Sequence, residues 1–141
     1  IRFYPHILHE DTEINPRCFH YAQTMICIPV CAYIYMCRVA GSIMTSGFNF
    51  KSVTDCMLII QNWEKEAEKC LSKSERDLFY DQISGMCYFI LAIRNNSAQF
   101  QSFLAENKSV LKKKMVLNFI KSLPKYFSLG RCQRVFCGLL K

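Results

Sequence analysis

His6, His9, Cys18, His20, Cys27 and Cys31 are the residues near the start of the chain whose side chains ligate transition metals. Structural zinc favours close knuckles, C-x2-C or H-x3-H, flanking turns. Here the pairs run H-x2-H, C-x-H and C-x3-C, the last inside apolar sequence. Cys132-x4-Cys137 has no histidine near it. The spacing therefore predicts no metal and no cofactor; the candidate ligands, if there were a site, are His6, His9, Cys18 and His20. Covalent catalysis needs a nucleophile, a base and an orienting acid. All three histidines fall within the first twenty residues, and no pattern ties one to a particular cysteine or serine. There is no glycine-rich phosphate loop and no G-x-S-x-G. Glu64, Glu66 and Glu68 read as the solvated side of a helix. The sequence predicts a protein that is not an enzyme.

The elements that would position these residues are helices. A chain of 141 residues that is 51% hydrophobic, with only 5 glycines and 4 prolines, has the apolar content for a core and few chain breakers. His6 to Glu10 reads as a turn, and residues 11–16 as a loop or cap. From Cys18 to Cys37 no residue carries a formal charge. That length suits a membrane span, but His20, Gln23, Thr24, Pro29 and three tyrosines dilute it. A buried helix is expected over about 17–40, begun or bent at Pro29. Cys27, Val30, Cys31, Ile34 and Cys37 would share its buried face.

Over 51–71, Val53, Cys56, Met57, Ile60, Trp63, Ala67, Cys70 and Leu71 recur at the spacing of one helical face, opposite Asp55, Gln61, Glu64, Lys65, Glu68 and Lys69. Ser72-Lys73-Ser74-Glu75 supplies a capping box for a helix over about 74–94, with a stripe of Phe79, Ile83, Met86, Cys87 and Ile90. Met86 to Ile93 carries no charge, so this central helix should be surrounded by protein there. A short helix is expected from Ser97 to about Glu106. Another, capped at Asn107 or Ser109, runs to Leu123, and a last segment lies over roughly 124–139. The expectation is one all-α domain over 1–141, with six or seven helices in an irregular bundle or a short α-solenoid of HEAT-like pairs. The chain starts at Ile1 rather than Met, as expected for a domain of a longer protein or a mature secreted chain.

The 9 cysteines are an odd count, unlike a disulfide framework. Six of them, Cys27, Cys31, Cys37, Cys56, Cys70 and Cys87, fall on helical stripes and read as buried thiols. Two tripeptides, Asn95-Asn96-Ser97 and Asn107-Lys108-Ser109, would accept glycans in a secreted protein. The expected compartment is intracellular, cytoplasmic or nuclear, with secretion as the alternative.

Charge is one-ended: residues 107–141 carry a net +9 and residues 1–106 a net −2. The candidate binding patch is Lys114, Lys121, Lys125, Tyr126, Phe127, Arg131 and Arg134, in which aromatic rings interleave with cations. Asn62-Trp63 resembles two residues of the signature of Bcl-2-like proteins, while Glu64-Lys65 stand where that pattern has Gly-Arg. The sequence predicts an interaction or scaffold domain, a subunit or adaptor that docks a helix or peptide of another protein. The first alternative is nucleic acid bound at phosphates through the basic segment 107–141. The second is a secreted cytokine-like ligand or a Bcl-2-like groove protein. A membrane or a small molecule is not the expected partner.

Overall fold

The structure is a computed structural model that describes residues 1–34 and 49–122. These residues form four helices: α1 (Glu10–Tyr21), α2 (Phe50–Lys69), α3 (Lys73–Ala92) and α4 (Ala98–Ser122). No strand occurs among them. The all-α class is as expected. The described helices are fewer and longer than the six or seven anticipated.

α2 and α3 form where the apolar spacing placed them. Asn49 caps α2 by accepting from the Lys51 N–H at 2.9 Å. Val53, Cys56, Ile60, Trp63 and Ala67 are buried, as their stripe requires, and Ile59 joins them. Leu71 does not: it is 96% exposed. Cys70 leaves helical geometry (φ −68°, ψ 128°), so Leu71 falls out of phase with the stripe. Asp55, assigned to the polar face, is buried. It accepts from the Leu8 N–H at 2.8 Å and pairs with Lys51, so the N-terminal segment covers it and also supplies a donor.

The Ser72 capping box is present, with Ser72 Oγ accepting from the Glu75 N–H and the Glu75 carboxylate accepting from the Ser72 N–H. These bonds from the Ser72 backbone and side chain hold the Glu75 carboxyl below the usual carboxylate range. A lowered folded value means the stabilisation is complete above the unfolded glutamate value of about 4.3. It is lost as pH falls through the folded one. Ser72→Ala should cost about 0.5–2 kcal/mol at neutral pH. It should also flatten the acid limb of a urea-midpoint curve below about pH 4.3.

α4 replaces two expected helices. Ser97 caps it through the Phe100 N–H. Asn107, expected to begin a second helix, sits inside this one and donates from Nδ2 to the Phe103 carbonyl at 2.9 Å. The buried stripe of Phe100, Leu111, Met115 and Phe119 continues through it. Burial of that stripe outweighs a local capping preference worth about 1 kcal/mol.

The first part of α1, residues 10–16, stands where the end of a turn and a loop or cap are expected. Glu10, Asp11 and Glu13 complement its N-terminus. Pro16 lies inside it and removes a donor from the ladder, but Ile14 and Pro16 are buried. The buried helix expected over 17–40 ends at Tyr21. Residues 22–34 are not helical, and Met25, Ile26, Ile28, Val30, Tyr33 and Ile34 are exposed, as are Cys27 and Cys31. Pro29 denies this stretch a donor and crowds the preceding turn, and Ile26, Ile28 and Val30 disfavour helix through their branched Cβ. Residues 35–40 of that expected helix, with Cys37, lie outside the described residues, as does the expected segment 124–139.

α3 packs against each of the other three helices, as expected of the central element. On its α4 side the buried Ser84 donates to the Met115 carbonyl at 3.0 Å. Trp63, Phe79, Ile83, Cys87, Ile90 and Phe100 fill the core between α2, α3 and α4. No helix among the described residues is long and apolar enough to cross a membrane.

Candidate functional site

The charge-free half of α3 is not wholly covered. Gly85 and Phe89 face outward, Phe89 at 45% exposure, and with Met86 they form one wall of a cleft of about 380 Å³. Trp63 and Cys56 of α2 complete the apolar lining. His9, Thr12 and Gln82 add its polar groups. A Cβ built on Gly85 would meet nothing within 4 Å, so the glycine leaves open space beside Phe89.

The cleft is held in shape by contacts from α1. The Trp63 indole N–H donates to the Glu13 carbonyl at 3.0 Å, a buried bond that fixes the ring. His9 bonds Ser52 at 2.6 Å through Nε2. It also stands edge-on to Phe89, ring centres 6.2 Å apart. His9 has φ 64° and opens α1 in the left-handed region, a backbone state uncommon outside glycine. His9, read as a possible metal ligand, is here a pin across three elements.

Cys56, at the cleft, has its thiol pushed up to about 12 by burial and then by neighbouring Asp55. Cys87 in the core is pushed up to about 12, chiefly by burial. Neither forms a thiolate at neutral pH, so neither is an activated nucleophile. Of the cysteines read as buried, Cys56, Cys70 and Cys87 are so, while Cys27 and Cys31 are exposed. Native protein treated with a thiol reagent should therefore be modified rapidly at Cys18, Cys27 and Cys31. Cys56 and Cys87 should react at least tenfold more slowly, as peptide mapping by mass spectrometry will show.

Of the predicted basic patch, Lys114 and Lys121 are described; Lys125, Tyr126, Phe127, Arg131 and Arg134 lie outside the described residues. Lys114 forms an ion pair with Glu64 of α2. Lys121 places its ammonium 4.5 Å from the centre of the Tyr80 ring. Asn118, one turn from each of them, is buried and donates to the Lys114 carbonyl at 2.8 Å. The Lys114 ion pair and the Lys121 ring contact tie α4 to α2 and α3.

The candidate metal ligands do not gather. His6 and Cys18 are exposed, and His9 belongs to the cleft. His20 instead meets two residues that no sequence pattern joins to it, Cys70 and Glu75. Their ligand atoms all lie within 4.8 Å of one another. Cys70 reads as one more stripe cysteine and Glu75 as a capping residue, and some fifty positions separate both from His20, so no spacing rule could find the group.

Near the other end of α1, Glu13, Arg17 and Asn62 line a polar cavity of about 100 Å³. Arg17 donates to Glu13 at 2.6 Å and to the Arg2 carbonyl at 2.9 Å. Glu13 is 1% exposed.

Fold and site together define an all-helical bundle with a preformed apolar cleft at the junction of α1, α2 and α3. Comparison of the chain with protein-family models, with curated proteins and with solved structures finds no match.

Proposed function

We propose that this chain is a non-enzymatic protein-interaction domain, a subunit or adaptor, that receives the apolar side chains of a partner helix or peptide in the cleft between α1, α2 and α3. The observation that carries this reading is the cleft itself: an apolar lining with a few polar groups, and one wall left uncovered. An amphipathic helix lays anchors at i, i+3 or i+4 into such a groove. Phe89, 45% exposed, supplies the rigid aromatic surface that interface hot spots favour, beside the buried Trp63 ring. The odd count of 9 cysteines supports a reducing intracellular compartment, cytoplasmic or nuclear. Phosphate binding through residues 107–141 remains supported by their net charge alone.

The test fills the cleft without disturbing the core. Gly85→Ala should stabilise the fold by about 0.5–1 kcal/mol, because a helix interior favours alanine and the added Cβ meets open space. Gly85→Trp should keep the wild-type circular dichroism spectrum and occupy the cleft. A library of amphipathic helical peptides is screened against both proteins. Peptides with two apolar anchors one turn apart should bind the wild type and perturb its tryptophan emission, since Trp63 is the chain's 1 tryptophan. They should bind Gly85→Trp at least tenfold more weakly. Absence of binders, or binders indifferent to Gly85→Trp, overturns the reading.

A further inference from the structure

We propose that His20, Cys70 and Glu75 form a three-ligand binding site for a thiophilic divalent cation, zinc above all, where the end of α1 meets the turn between α2 and α3. Each ligand comes from a different element. His20 is in the last turn of α1, Cys70 is the residue that ends α2, and Glu75 lies in the first turn of α3. The Cys70 sulfur lies 3.9 Å from both ring nitrogens of His20. His20 Nδ1 lies 4.0 Å from Glu75 Oε1. In a tetrahedral zinc site with bonds of about 2.0–2.3 Å, donor atoms stand about 3.5 Å apart. Two of the three pairs are thus within about half an ångström of ligand spacing, and the third, Cys70 with Glu75, lies within 4.8 Å. The sulfur is equidistant from both nitrogens, so either is a candidate donor.

Donor chemistry selects the ion. A thiolate and an imidazole suit zinc and exclude the oxygen-seeking calcium and magnesium. One thiolate and one carboxylate balance the two charges of the cation. In the metal-free protein the Cys70 S–H donates to the Glu66 carbonyl at 3.3 Å. Binding therefore forms a sulfur–zinc bond and releases the thiol proton to solvent.

Support from the surroundings is in place. Glu75 Oε2 accepts from the Ser72 N–H at 3.0 Å, which leaves Oε1 toward His20. The His20 ring is held edge-on between Tyr21 and Phe79, with centre distances of 4.5 and 5.7 Å. The Glu75 side chain is 41% exposed, so solvent reaches the site and can supply a fourth ligand.

The test is a zinc titration of chelator-treated full chain against a competing chromophoric chelator, repeated with cobalt. Cobalt should produce a thiolate charge-transfer band and the intense visible bands of a tetrahedral ion. His20→Ala and Cys70→Ala should each weaken zinc binding at least tenfold and abolish the charge-transfer band or reshape it. Glu75→Gln preserves the capping box, in which glutamine serves as well. It should still weaken zinc binding at least tenfold, which separates a ligand from a merely structural residue. Cys27→Ser with Cys31→Ser should leave affinity and spectrum unchanged. Absence of zinc binding overturns the proposal. So does binding that survives Glu75→Gln and either other variant, or binding lost with Cys27 and Cys31.

Discussion

Trp63→Ala should cost about 3–5 kcal/mol, a large part of the stability of a domain this size. The side chain is 1% exposed and reaches both the core and the cleft, so truncation leaves a void that the surrounding helices cannot close. The indole N–H is the donor to the Glu13 carbonyl, and the same change cuts a buried tie between α1 and α2. Trp63→Phe separates the two contributions. It keeps most of the ring volume and loses the donor, and should cost about 1–3 kcal/mol. Urea midpoints followed by circular dichroism give both values. Near-equal midpoints for the two variants would show that the hydrogen bond, not the volume, dominates.

Arg17→Met should destabilise by about 3–5 kcal/mol while leaving every apolar core residue in place. Its partner Glu13 is almost wholly inside the protein and has its carboxylate bonded to the Arg17 guanidinium. Removing one member of such a pair strands the other's charge away from water. The companion experiment is Glu13→Leu with Arg17→Met. The double variant should be more stable than Arg17→Met alone, because it leaves no charge behind. A loss below about 1 kcal/mol for Arg17→Met would mean that the pair behaves as a solvated surface bridge.

α2 and α3 were legible because their signals are local and redundant. In α3, a Ser72–Glu75 capping box precedes a stripe from Phe79 to Ile90, and each predicts the same helix. α4 was only half legible: Asn107 and Ser109 look like caps, and nothing local reveals that Leu111 and Met115 will carry the stripe past them. The charge-free run from Cys18 misled for a different reason. Lack of charge was read as burial, but burial requires a partner face, and Ile26, 86% exposed, has none among the described residues. Cysteine at helical spacing pointed to the core for Cys56 and Cys87 and failed for Cys27 and Cys31, where Pro29 disrupts the helix.

The cleft and the His20 cluster were hidden for one shared reason. Both are made where α1 lies across α2 and α3. Pattern shows that Met86 to Ile93 is apolar. It does not show that α1 leaves the Gly85–Phe89 side uncovered. That boundary depends on where α1 starts and stops, which the sequence reading misplaced by taking residues 11–16 as a loop or cap.

The bonds that hold the N-terminal segment and α1 to α2 join residues 43 to 50 positions apart. By contrast, α2, α3 and α4 follow one another through turns of a few residues. Closing a long loop costs more entropy than closing a short one, so the α2–α4 hairpins should assemble first and α1 should dock last. The native protein should then breathe along the same seam, with α1 lifting at a free energy below that of global unfolding. Cys56 and Cys70 lie along that seam, and Cys87 does not. In mild denaturant, Cys56 and Cys70 should become reactive before the cooperative transition, while Cys87 reacts only with it.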